Sequence, residues 1–132
     1  MENLVVISKI KKFIKDQGDF NTSANFFEPL STDIAKACRE AMHHAQKVGR
    51  KTVMGKDFNL YVDKPQLEES LVVTSKVKKL IKDESGLSTS QSAIEQLTVR
   101  VRTICLKAIE NAKTDKRKTV MDRDFIAPTS LV

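Results

Sequence analysis

The chain is 132 residues long, 40% apolar and 30% charged, with a surplus of six lysines and arginines over aspartates and glutamates. That length suits one compact domain or two very small ones. No tryptophan, one tyrosine, four glycines and three prolines exclude a β-sandwich, a disulfide scaffold or a disordered tail, so an all-α fold is expected. No apolar run reaches the roughly 18 residues of a membrane span, and the opening MENLVVISKI lacks the apolar stretch and cleavage site of a signal peptide, which predicts a cytoplasmic protein. The pI near 9.4 favours a polyanionic partner. Each half carries three of the six surplus charges and neither end has a lysine-rich tail, so contact with nucleic acid has to come from the folded surface.

Ile10, Phe13 and Ile14 recur at helical spacing and predict a short first helix with Ser8 as its N-cap. A longer stripe follows, through Phe27, Leu30, Ile34, Cys38, Ala41, Ala45 and Val48, and predicts one long central helix. Its start is either Ser23 or Asn25; the later position is favoured because Glu28 stands three residues on, as a capping box requires. Pro29, just inside, is expected to bend or loosen the helix. Beyond Gly49 the loop RKTVMGKDF (50–58) leads to a predicted third, short helix around Met54 to Tyr61. The polar stretch with Pro65 then reads as a connector.

The same order returns after the connector. Val77, Leu80 and Ile81 follow Ser75; Ile94, Leu97, Val101, Cys105, Ala108 and Ala112 mark a second long helix starting at Ser90 or Ser92, with Glu95 and Gln96 where the first copy has Glu28 and Pro29. Past Lys116 comes RKTVMDRDF (117–125) and a third helix expected around Met121 to Ala127. Sliding the chain by 67 residues aligns 4–58 with 71–125 without a gap, with 24 identities in 55 positions. The predicted division is therefore a first unit at 1–62, a connector at 63–70, a second unit at 71–128 and a short tail at 129–132.

A unit of about 60 residues buries only about 60% of its unfolded surface, and a long helix leaves its apolar stripe uncovered by two short neighbours. The two copies are expected to cross their long helices and fold as one body. Cys38 and Cys105 lie on the apolar stripes at matching places, which makes them core residues of one buried cluster and not a disulfide.

Each unit resembles a histone fold, and the chain resembles a histone doublet: two tandem histone folds in one chain, packed as the equivalent of one histone dimer. The residues that carry the resemblance are Arg50-Lys51-Thr52 with Asp57 and Arg117-Lys118-Thr119 with Asp124, each after a long helix. The resemblance implies that arginine and aspartate form a structural ion pair, that Lys51, Thr52, Lys118 and Thr119 face DNA phosphates, and that Lys12 and Lys79 match a DNA-contacting basic position. The pattern is closest to bacterial and archaeal histones. Asn21 and Ser88 stand where the nucleosome-forming archaeal pattern has a minor-groove arginine. His44 with Lys47, and Asn111 with Thr114, replace the leucine and histidine through which dimers join, so long stacks of dimers are not implied.

Lysine ammonium, threonine hydroxyl and loop N–H groups are suitable donors to a row of phosphates and do not read base sequence. Lys9, Lys11, Lys12 and Lys15, repeated as Lys76, Lys78, Lys79 and Lys82, flank the buried side of each first helix and extend that surface. The expected function is sequence-nonspecific binding of double-stranded DNA by a nucleoid-associated, chromatin-organising protein that bends or coats its ligand. The rival is a histone-fold module that binds proteins without DNA. No nucleophile elbow, P-loop, dinucleotide fingerprint or convergent carboxylate pair is present, so no enzyme, cofactor or small-molecule substrate is expected. His43 and His44 diverge by about 100° on a helix and have no further ligand at metal spacing.

Overall fold

The computed structural model describes residues 3–59, 61–62 and 69–128. Residues 63–68, most of the expected connector with Pro65, and the expected tail at 129–132 lie outside the described residues. The elements are α1 (Ile7–Asp16), β1 (Asn21–Thr22), a 3-10 turn (Ala24–Phe26), α2 (Phe27–Lys47), β2 (Thr52–Val53) and a 3-10 turn (Gly55–Asp57). Then come α3 (Thr74–Ser85), β3 (Ser88–Thr89), α4 (Gln91–Thr114), β4 (Thr119–Val120) and a last 3-10 turn (Asp122–Asp124). The fold is all-α apart from these two-residue strands.

Neither first helix starts at its serine. Val5 and Val72 form an antiparallel bridge, with Val6 N–H donating to Leu71 O at 2.9 Å and Val73 N–H to Leu4 O at 2.8 Å. That extended backbone runs straight into the helices, so Val6 and Val73 occupy the N-cap positions without a side-chain cap and Ser8 and Ser75 fall in the first turn. Ile10 and Ile14, and Val77 and Ile81, are buried while the intervening lysines face outward.

The long helices correct a second expectation. Ser90 caps α4, accepting from Ala93 N–H at 3.3 Å, and Ser23 caps the 3-10 turn before α2, accepting from Asn25 N–H at 3.4 Å. The favoured later caps are occupied elsewhere: Ser92 Oγ accepts from Gly55 N–H at 3.0 Å and Asn25 Oδ1 from Asp122 N–H at 3.2 Å. Because the first copy opens with a 3-10 turn, Pro29 falls in the first turn of α2, where a backbone N–H has no helical partner to lose. The two helices exit through left-handed residues, Gly49 at φ 78° and Lys116 at φ 57°.

The expected third helices are single 3-10 turns. Asp57 accepts from Met54 N–H at 2.7 Å and Asp124 from Met121 N–H at 2.8 Å, which closes one turn, and the chain is extended again at Phe58 and Phe125. No helix among the described residues is long and apolar enough to cross a membrane.

The strand contacts joining the halves come in matched pairs. β1 lies parallel to β4, with Asn21 opposite Thr119 and Thr22 opposite Val120; β2 lies parallel to β3, with Thr52 opposite Ser88 and Val53 opposite Thr89. Within the halves the match holds too: Leu4 N–H bonds Ser31 Oγ at 3.3 Å and Leu71 N–H bonds Thr98 Oγ1 at 3.2 Å. In every case adding 67 to the residue numbers of the first half gives its counterpart in the second. One apolar core runs through both halves and contains Cys38 and Cys105, each fully buried and unbridged. Burial pushes both thiols up to about 12.

Candidate nucleic-acid interface

Each Arg-Lys-Thr loop follows a long helix whose last carbonyls bend the chain back: Arg50 N–H bonds Ala45 O and Arg117 N–H bonds Ala112 O, both at 2.9 Å. The arginine then turns inward. Arg50 Nη1 donates to Thr52 O at 3.1 Å and to Asp57 Oδ2 at 2.8 Å, while Nη2 contacts Asp57 Oδ1. Arg117 repeats this, with Nη1 2.9 Å from Thr119 O and 3.0 Å from Asp124 Oδ2, and Nη2 2.6 Å from Asp124 Oδ1. These bidentate, charge-assisted pairs fasten the loop to the following turn. Burial would raise the Asp57 carboxyl, but hydrogen bonds from Arg50, the Met54 N–H and His44 outweigh it and hold the group at about 2. Asp124 is depressed as well: burial opposes, and Arg117 with the Met121 N–H prevails.

With the arginine anchored, the neighbouring residues point outward. Lys51 and Lys118 are exposed; Thr52 and Thr119 are half-buried. The strand pairs set each loop beside the first loop of the other half: Asn21 N–H donates to Lys118 O at 2.8 Å and Ser88 N–H to Lys51 O at 3.0 Å. The two ends differ in detail. Lys118 Nζ lies 4.9 Å from the Phe20 ring centroid and 3.4 Å from Gly18 O, and Lys113 Nζ lies 6.0 Å from the same ring. At the other end Leu87 occupies the place of Phe20.

Of the first-helix lysines, Lys11, Lys12, Lys78 and Lys79 are exposed, and Lys9 and Lys76 are half-buried. Lys12 pairs with Asp16 at 3.2 Å and Lys79 with Asp83 at 2.6 Å, each one helical turn on, and Lys9 pairs with Glu69 at 3.2 Å. Exposed pairs of this kind are worth about 0.5 kcal/mol, so a phosphate can displace the carboxylate at small cost.

Sequence reasoning set His44 and Asn111 at a dimer-joining surface and missed that they bond to the loop ends. His44 Nδ1 stands 2.6 Å from Asp57 Oδ1, whereas Asn111, at the matching place, donates to Asp124 O at 3.0 Å. The spacing of Lys12 to Asp16 was a readable signal; the recruitment of His44 was not, because it depends on how the loop folds back. Among the described residues no three His, Cys, Asp or Glu side chains form a group able to hold a metal ion.

No family model matches the chain, and no curated protein matches it. Among solved structures the chain is similar to the histone from Methanopyrus kandleri, with a TM-score of 0.64 and 20% sequence identity over 91% of this chain and 89% of that one. This likeness establishes a histone fold.

Proposed function

We propose that the protein is a histone doublet that binds double-stranded DNA without reading its sequence. In this reading residues 1–62 and 71–128 are two histone folds joined by 63–70, and the chain is a monomer equivalent to one histone dimer. The halves are related by the repeat of 67, and the similarity to the Methanopyrus kandleri histone spans both of them, which supports the tandem arrangement. Lys51, Thr52, Lys118 and Thr119 would take phosphates at the two loop ends, with Lys11, Lys12, Lys78 and Lys79 and the half-buried Lys9 and Lys76 between them. A ligand touching both ends and the first helices is favoured to bend, and one bound at an end alone is coated. The protein would belong to the nucleoid in the cytoplasm.

The observation that carries this reading is the inward turn of Arg50 and Arg117, which leaves the adjacent lysines exposed at the two junctions between halves. Mobility shifts on unrelated duplexes across a salt series test it. Binding should be alike for all sequences, with log K falling linearly in log salt by about 0.9 per phosphate contacted. Strong preference for one duplex, or no binding at low salt, would defeat it; the second result would favour a protein-binding module.

A further inference from the structure

Two matched pairs of positions, 67 residues apart, meet their own counterparts. At the Val5–Val72 bridge the counterparts are the same residue. At the other they are opposite: Arg100 Nε lies 2.6 Å from Asp33 Oδ2 and its Nη2 3.0 Å from Oδ1, with the side chains only 13% and 5% exposed. A residue that faces its own counterpart reports on which halves are paired. Were two first halves to pair in this geometry, one buried carboxylate would face another; two second halves would oppose two guanidinium groups. Burial removes the water that would screen either repulsion.

Three more contacts between the halves lack a reciprocal. Arg39 grips Glu84 with two bonds of 2.9 and 3.0 Å, yet the matching residues are Leu106 and Gln17. Gln96 accepts from Val62 N–H at 2.8 Å and donates to Val62 O at 2.6 Å, which Pro29 at the matching place has no amide to do. The Arg102 guanidinium sits 5.6 Å over the Phe13 ring, where the counterparts are Ala35 and Leu80. The Arg39–Glu84 and Arg102–Phe13 contacts are lost if either half pairs with a copy of itself, and the Gln96 contact is lost if two first halves pair.

We infer that the interface between the halves selects an unlike partner, with Asp33 and Arg100 as the deciding residues, so that each half accepts the other and rejects a second copy of itself. This rests on the doublet reading and not on DNA binding. Partner choice by opposed charges at one buried position is a general device, since a mismatch costs more than a match contributes. The chain is thereby kept from linking to others through like halves, and its two loop ends keep a fixed, unequal identity.

The test uses full chains carrying Asp33→Arg, Arg100→Asp, or both, read by native mass spectrometry and thermal melting. Each single variant sets like charges together and should melt about 10 °C or more below the parent. The double variant restores a pair of reversed polarity and should be a single chain melting close to the parent. The two single variants, unfolded and refolded together, should form a one-to-one complex of two chains, since the first half of each then complements the second half of the other. A double variant no more stable than the singles, or a mixture that remains single chains, overturns the inference. DNA enters neither readout, so failure of the DNA reading and failure of this one are distinguishable.

Discussion

Ser92, in the first turn of α4, accepts the backbone N–H of Gly55 from the opposite half at 3.0 Å, and so ties the end of the Arg-Lys-Thr loop to a helix that begins 36 residues later. The approach leaves no room at Gly55: an added Cβ would stand 3.0 Å from both Ser92 O and Gln96 Cγ. Space, not backbone freedom, requires glycine here. Gly55→Ala is therefore expected to cost about 1–3 kcal/mol in denaturant melts. At the matching position Asp122 is an exposed residue, and Asp122→Ala should change stability by about 0.5 kcal/mol or less. Equal costs at the two positions would refute the close approach.

Lys116 adopts φ 57° at the place where the first copy has Gly49 at φ 78°. The left-handed conformation strains a residue with a Cβ and does not strain glycine. Lys116→Gly should raise the unfolding free energy by about 0.5–1 kcal/mol, and Gly49→Lys should lower it by a similar amount. Opposite signs in chemical melts would show that the side-chain contacts of Lys116 outweigh its backbone.

Lys51→Glu together with Lys118→Glu should abolish most duplex binding while circular dichroism stays near that of the parent, because both side chains are exposed, and the loss of Lys118 from the Phe20 ring should cost about 0.5–1 kcal/mol in melting. The single neutral variants Lys51→Gln and Lys118→Gln should each reduce the salt slope by about 1. An unchanged slope would move the interface to another face.

Asp57 titrates at about 2 in the folded protein, below its ordinary 3.8. A depressed carboxyl contributes stability above its unfolded value and loses it as pH falls through the folded one, so this contribution, about 2 kcal/mol, is complete above roughly pH 4 and gone below roughly pH 2. Asp57→Asn should be less stable than the parent at neutral pH, and the difference should shrink between pH 4 and pH 2. A difference that stays constant across that window would mean the loss is one of packing and not of charge.

The helical period, the repeat of 67 and the burial of Cys38 and Cys105 were legible in the sequence because they depend on spacing and hydrophobicity alone. The caps were not. Asn25 and Ser92 have the right chemistry and the right distance from Glu28 and Glu95, but the other half takes their oxygens for the backbone of Asp122 and Gly55. Local rules lose where a tertiary acceptor is needed. The third helices fail for a similar reason, since Asp57 and Asp124 each bond back three residues and are held by an arginine, and the turn ends there. Asp33 opposite Arg100 was invisible as a pair, because a repeat aligned against itself shows that two residues differ and not that they touch. The loop lysines were readable as candidates from the duplicated motif, whereas the difference between Lys118 on Phe20 and Lys51 near Leu87 appears only once the halves are joined.

The strand pairs also impose an order on synthesis. Thr52 finds its neighbour at Ser88, a short distance down the chain, but Asn21 and Ser23 have to wait for Lys118 and Val120. On the ribosome the first loop can close only after Val120 has emerged, later than α3 and α4, both of which pack on α2. Distant contacts close late because the loop entropy is lost before they form. A nascent chain of this design joins its second loop before its first, and a message truncated before the second Arg-Lys-Thr leaves Asn21 and Thr22 without their strand partner while Leu4 and Val6 stay bonded to Val73 and Leu71.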